Sequence, residues 1–299
     1  MKSIMSFVRT SFLALSTLLI ASCSAPVRAP WNVPENVNVM NVNGYPMAYV
    51  DEGRGPLLVI VHGTLADYRT MAPLSALSDA FTVRRVSLRH FFPEKWDGSG
   101  ATFSARQHAL DLAAMLERAG PPVDLMGWSS GGLVAYEVAR TRPELVRRLI
   151  LVEAVTGSLL GRETEAAIAA RKKRTSDFAA TLRADVARGA AAAVDAINGA
   201  GAWERMPPEN RQIVSDNVWS VVGAGMDDPR PVECAEFGAL KMPVLLIQGE
   251  RTAPRFKEIV AAQARCLPTA RLVTIPNAGH PSHRENPTAM NEAVRQFLK

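Results

Sequence analysis

The stretch "VDLMGWSSGGLVAYEVARTRP", residues 123–143, decides the fold. Its first six residues form a short apolar run that reads as a buried strand. The residues from Ser130 onward read as a helix that stops at Pro143. Strand and helix are joined only by Gly127-Trp128-Ser129-Ser130-Gly131. A Gly-x-Ser-x-Gly pattern by itself is weak evidence and fits a plain glycine-rich turn. At a strand-to-helix junction it predicts a sharp turn that lifts the Ser129 hydroxyl above the strand end. Gly127, Gly131 and Gly132 leave room for helix and strand to close on each other. The free N–H groups at the helix start then point at the same place as the hydroxyl.

Outward from this point the chain alternates. "VNVMNV" and "MAYVDEG" read as paired strands around the Asn43-Gly44 turn. "PLLVIVHGT" is a continuous apolar strand, followed by a helical segment near residues 68–78. "FTVRRVSL" is the next strand, and "FSARQHALDLAAMLERAG" carries apolar residues at helical spacing up to Gly120. After the central stretch, "VRRLILVEAV" is another buried strand. Strands that alternate with helices predict an α/β fold, a mostly parallel central sheet with helices on both faces. The alternation stops at residues 156–232, which are Ala-rich and helical in propensity, then resumes with "PVLLIQG", a helix near 255–265, "ARLVTIP" and a last helix from about Asn286. The expected organisation is a leader (1–22), a tether (23–36), the first part of a core (37–155), a helical cap (156–232) and the second part of the core (233–299). "RKKR", residues 171–174, reads as a solvated helix face.

The leader begins "MKSIMSFVRTSFLALSTLLIASC". A positive start, a short apolar stretch and small residues make a secretory signal peptide. The apolar stretch is shorter than the roughly 20 residues a membrane span needs. Ile20-Ala21-Ser22-Cys23 resembles a bacterial lipobox, which implies lipid attached to the Cys23 thiol and a membrane anchor facing the cell envelope. The bland alternative is ordinary secretion with Cys23 incidental. Pro- and Asn-rich sequence follows and reads as a flexible tether. Cys234 and Cys266 remain. In an exported protein such a pair is either bridged or two buried thiols, and a bridge would contribute roughly 3–4 kcal/mol in the chain-entropy model. The formal charge of +5 includes Lys2 and Arg9 of the leader, and the other basic residues are spread along the chain. That distribution gives nucleic-acid binding little support.

Ser129 needs a base, because a hydroxyl is a poor nucleophile alone. The histidines are His62, His90, His108, His280 and His283. His280, in "PNAGHPSHRENP" after the last strand, is placed to reach across the strand ends. His62 opens "HGT" after a central strand, and that loop can offer a backbone N–H to an oxyanion. The expected donors are the amides of Ser130 and Thr64, with Leu65 the neighbouring candidate. His283 sits at metal-like spacing from His280, but no third ligand accompanies them, and His283 is expected to hydrogen-bond near the last helix. Leu65, His90 and Trp128 are candidate pocket residues, and Arg89, Phe91, Phe92 and Trp96 are candidates for the pocket mouth or for aromatic packing. Trp203 and Trp219 either face substrate or hold the cap helices together.

These residues resemble the α/β-hydrolase superfamily over nearly all of the chain beyond the leader: the "HGT" loop, the "GWSSGG" elbow, the helical insertion and the terminal "AGH". The resemblance implies a serine hydrolase with the order Ser, acid, His, acting on a small-molecule ester or acyl substrate and needing no cofactor or metal. It also implies an acid about three residues beyond the glycine of "PVLLIQG". Thr252 stands there, and threonine cannot be the charged partner of a histidine. The replacement is Glu153, which ends the apolar run of "RRLILVEAV". A carboxylate directly after such a run is seldom left unpaired. Some superfamily members, including a subgroup of haloalkane dehalogenases, place their acid after this strand. Glu250 is the second candidate, Asp227 and Asp228 are weaker ones, and loss of the acid altogether is the remaining alternative. A serine nucleophile favours ester cleavage. Acyl transfer, peptide cleavage and C–C hydrolysis stay open on the same residues, as does an inactive binding protein.

Overall fold

A computed structural model describes residues 29–100 and 103–299. The leader, Cys23 and most of the tether lie outside the described residues.

Eight strands form one sheet in the order β1-β2-β4-β3-β5-β6-β7-β8. β1 (Asn38–Val42) and β2 (Tyr45–Glu52) make the antiparallel hairpin around Asn43-Gly44. β2 joins β4 (Thr82–Val86) antiparallel, and all other pairings are parallel. Those pairings bring together β3 (Leu57–Val61), β5 (Val123–Trp128), β6 (Val146–Val152), β7 (Val244–Gly249) and β8 (Arg271–Ile275). The continuous apolar strands are buried on both faces because successive side chains alternate sides. Val59, Val61, Leu125, Leu149, Leu151 and Leu246 enter one core. Their neighbours Leu58, Ile60, Met126, Ile150, Val152, Leu245 and Ile247 enter the other.

The first core is covered by α1 (Ala105–Arg118) and α2 (Ser130–Thr141). The second is covered by a 3-10 segment, Ala72–Asp79, and by α11 (Pro287–Leu298). The helical segment expected near 68–78 is thus shorter and wound as a 3-10 helix, with Pro73 in its first turn. Between β6 and β7 lie α3 (Glu165–Ala184), α4 (Val186–Asn198), α5 (Ala202–Arg205), α6 (Pro208–Asn217), α7 (Ser220–Met226) and α8 (Cys234–Gly238). Residues of α3, α4, α6 and α7 build a separate apolar cluster, which Trp203 and Trp219 join. Within "RKKR", Lys173 and Arg174 are exposed, but Arg171 turns inward and donates to the carbonyls of Gly225 and Asp227. α9 (Pro254–Cys266) follows β7, and a disulfide joins Cys234 to Cys266. The short α10 (Ser282–Glu285) precedes α11.

Candidate active site

Ser129 sits at the apex between β5 and α2 with φ 56° and ψ −123°. That backbone region costs a non-glycine residue about 1–3 kcal/mol, and the surrounding contacts must hold it. They do so at close range. The Ser129 amide donates to the Val152 carbonyl at 2.9 Å, tying the apex to the end of β6. A Cβ added to Gly131 would lie 2.1 Å from the His62 carbonyl oxygen, and one added to Gly127 would lie 2.4 Å from the Gly131 carbonyl oxygen. Only glycine lets the helix, the elbow and the neighbouring loop come this close.

Glu153 repeats the arrangement one strand over. It follows the last residue of β6, has φ 43°, and its amide donates to Ile247 of β7 at 2.9 Å. Its side chain is wholly buried. Oε1 accepts from the Gly249 amide at 2.7 Å, while Oε2 accepts from the Thr252 hydroxyl at 2.8 Å and lies 2.5 Å from His280 Nδ1. Thr252, at the position where an acid was expected, is therefore a hydrogen-bond donor to the carboxylate on the adjacent strand. Because a carboxylate only accepts, Nδ1 of His280 carries the proton and Nε2 is left to accept. Nε2 lies 3.1 Å from Ser129 Oγ.

The His280 ring is held on both sides. Phe256 of α9 stacks on it with centroids 3.9 Å apart and planes 10° from parallel. Trp128 donates from Nε1 to the His280 carbonyl at 3.0 Å. His283 takes no hydrogen bond from the last helix, contrary to the expectation. Its ring is buried with edge-on contact to Trp128 at 4.7 Å, and neither nitrogen meets a partner among the described residues. Burial, with a lesser contribution from Arg284, lowers its pKa to about 3, so the ring is neutral packing.

The "HGT" loop is fixed by the His62 imidazole. Nδ1 lies 2.9 Å from the Gly63 carbonyl and Nε2 accepts from the Leu88 amide at 3.1 Å. Burial lowers the His62 pKa to about 4, which keeps the neutral tautomer that both bonds require. With the Gly63 carbonyl turned toward His62, the trans peptide aims the Thr64 N–H the opposite way. The Thr64 hydroxyl donates to Ser130 Oγ at 3.0 Å, so the loop abuts the elbow. Ser130 is the first residue of α2, and its amide has no intrahelical acceptor. The Leu65 amide donates to Ser220 Oγ of α7 at 3.0 Å, which leaves Thr64 and Ser130 as the available donors.

A cavity of about 620 Å³ opens over Ser129 and His280, with Leu65, Trp128 and Phe256 in its wall. A smaller one of about 130 Å³ adjoins it at Thr64 and is lined by Ser130, Phe91 and Asp227, among others. His90 lines neither cavity. Its left-handed backbone, φ 70°, turns the ring away to stack on Trp96 at 4.7 Å and to bond Glu94 at 3.0 Å. Arg89 pairs with Asp111 at 2.8 Å and Phe92 lies under the Arg69 guanidinium, so neither belongs to the cavity walls. Trp203 and Trp219 stay in the helical cluster. Glu250 is exposed and accepts from the Asn277 amide, away from His280. Asp227 receives the Ala105 amide, and Asp228 lies 3.7 Å from Arg171.

Phe256, Ser220 and the donor role of Thr252 were not anticipated. Only Thr252 had a signal in the sequence, as a hydroxyl-bearing residue at the site of a missing acid.

A model of the alpha/beta hydrolase family matches residues 58–293. The chain is 27% identical to a pimeloyl-[acyl-carrier protein] methyl ester esterase of Stenotrophomonas maltophilia, over 82% of this chain and 94% of that one. It is 25% identical to a 2-(acetamidomethylene)succinate hydrolase of Mesorhizobium japonicum, over 83% and 90%. Among solved structures it is similar to a thermophilic esterase from Thermogutta terrifontis, with a TM-score of 0.72 and 25% identity, covering 88% of this chain and 96% of the other.

Proposed function

The chain belongs to the alpha/beta hydrolase family, and from that premise we propose that it is an exported serine hydrolase that cleaves carboxylic esters. The reading rests on one observation: Ser129 Oγ, the His280 ring and the buried Glu153 carboxylate form a single line of hydrogen bonds beneath a cavity. Family membership and relatives named for ester hydrolysis support the reaction class.

Ser129 Oγ attacks the ester carbonyl as His280 Nε2 takes its proton. Glu153 holds the ring through Nδ1 and stabilises the imidazolium that forms. The amides of Thr64 and Ser130 receive the developing oxyanion, and each such donor commonly contributes about 3–4 kcal/mol in the transition state. The tetrahedral intermediate collapses to an acyl-enzyme as His280 returns the proton to the leaving alcohol. Water activated by the same nitrogen then releases the acid.

Labelling with a fluorophosphonate, alongside hydrolysis of p-nitrophenyl butyrate, tests the assignment. Wild type should be labelled on Ser129 and turn over the ester, and Ser129→Ala should do neither. A wild-type protein that resists the label would leave the fold without this chemistry. Export and lipidation at Cys23 rest on the leader sequence. A Cys23→Ala variant that still partitions into detergent as wild type does would defeat the anchor.

A further inference from the structure

The wall of the larger cavity carries Arg205, Arg255 and Arg284, against a single carboxylate, Glu285. Glu285 is engaged elsewhere: it accepts from the Gly279 amide at 2.7 Å and lies 4.0 Å from Arg251. Arg205 donates to the Ala200 carbonyl. The side chains of Arg284 and Arg255 make no hydrogen bond or ion pair with any described residue. Arg284 is only partly exposed. Burial lowers the pKa of its guanidinium, against a partial rise from the Glu209 carboxylate. Other partly exposed arginines have partners here: Arg69 holds Asp67 and Asp216, Arg89 holds Asp111, and Arg140 holds Glu137.

The two unpaired arginines also share a location. Arg255 immediately precedes Phe256, and Arg284 lies four residues beyond His280. The Phe256 and His280 rings stack at 3.9 Å, so both guanidinium groups arise from the two segments that meet beside the reacting serine. The rest of the lining is largely apolar. The partly buried Arg284 in the wall of this chamber, with Arg255 exposed nearer solvent, matches a chain with an ionised carboxylate at its end, since a planar guanidinium pairs with two carboxylate oxygens at once.

Resting on the ester-hydrolase reading, we propose that the substrate is an ester with a second, ionised carboxyl group on its longer arm, and that Arg284, assisted by Arg255, binds that carboxylate. Arg284 is then a specificity-determining residue that touches substrate away from the scissile bond.

The test compares kcat/KM by pH-stat for two matched pairs. Monoethyl adipate against ethyl hexanoate places the acid on the acyl arm. 6-Acetoxyhexanoate against hexyl acetate places it on the alcohol arm. One acidic ester should exceed its neutral partner by roughly 10- to 100-fold, the range of a charge-assisted hydrogen bond formed away from bulk water. The ratio should fall close to one in Arg284→Gln and be partly retained in Arg284→Lys, which keeps the charge without the fork. Wild type without a preference for either acidic ester overturns the proposal. So does a preference that survives in the Arg255→Gln/Arg284→Gln double variant. If none of the four esters is cleaved, fluorophosphonate labelling of Ser129 decides the hydrolase reading, and calorimetry of adipate with Ser129→Ala decides the arginine site by itself. Binding weakened about 10-fold by adding Arg284→Gln upholds the site, and no binding, or unchanged binding, sinks it.

Discussion

Two adjacent strand ends do different work with the same atoms. β6 runs out into Glu153, a charged residue wholly buried in left-handed backbone. β7 runs out through Gly249 to Thr252, a neutral residue almost as deeply buried. The β7 end reaches both Glu153 oxygens, Thr252 at Oε2 and Gly249 at Oε1, and His280, which follows β8, shares Oε2. The β6 end supplies the charge and the β7 end supplies the groups that make a buried charge tolerable. A buried carboxylate is costly unless its lone pairs are filled, and removing one partner leaves that cost exposed. What the imidazole needs is an acceptor at one point in space, and Thr252 bonds the same oxygen that occupies that point.

The comparison sets an order of effects. Ser129→Ala fixes its scale, with kcat on a p-nitrophenyl ester falling roughly 10⁴- to 10⁶-fold in a folded protein. Glu153→Gln should lower kcat by roughly 10³- to 10⁴-fold, because the amide neither fixes the tautomer nor stabilises the imidazolium. A variant as active as wild type would break the assignment of charge to β6, and Glu250 would become the acid to test. The exchange is sharper still. Glu153→Ala/Thr252→Asp should recover roughly 10- to 100-fold over Glu153→Ala alone, if position rather than chain address governs the acid. Activity no better than the single variant would mean that the two ends are not interchangeable.

Thr252→Val probes the supporting side. It removes a donor to a buried charge and should cost about 1.5–3 kcal/mol of stability by denaturant midpoint, with Thr252→Ser retaining most of it. A neutral result would make Thr252 mere filler. The smallest effect concerns titratable groups buried without a charged partner of their own. Burial lowers the pKa of His62 to about 4 and those of His108 and His283 to about 3. Below about pH 6.5 the unfolded chain binds protons these rings refuse, so stability is full above that pH and declines as pH falls toward 4. The decline is about 1.4 kcal/mol per pH unit for each ring. His283→Leu should remove one ring's share of that slope between pH 6 and 5, measured by urea unfolding. An unchanged slope would mean that His283 protonates in the folded protein.

The central sheet was readable because buried parallel strands leave continuous apolar runs, as in "LLVIV" and "LILV". Glu153 stood out for the same reason, as a carboxylate closing such a run. Thr252 looked like an absence, because a sequence does not show which neighbour a strand-end side chain will meet. That follows from register, which pairs Val152 with Ile247 and brings the two loops side by side. His90 misled because its left-handed backbone reverses the direction of the ring. Phe256 and Arg284 were silent for another reason. A residue in a helix becomes part of a site only when a distant helix turns that face toward it, and nothing local records the turn.

The disulfide has a topological consequence. Cys234 and Cys266 close the chain into a covalent ring, and inside that ring lie β7, Gly249, Thr252 and Phe256. Ser129, Glu153 and His280 all lie outside it. The groups assigned to the chemistry thus belong to the open chain, and Gly249, Thr252 and Phe256, which steady Glu153 and His280, belong to a closed loop. A protease that cut between the two cysteines would yield two polypeptides still bound as one molecule, with the steadying segment tethered from both sides of the cut.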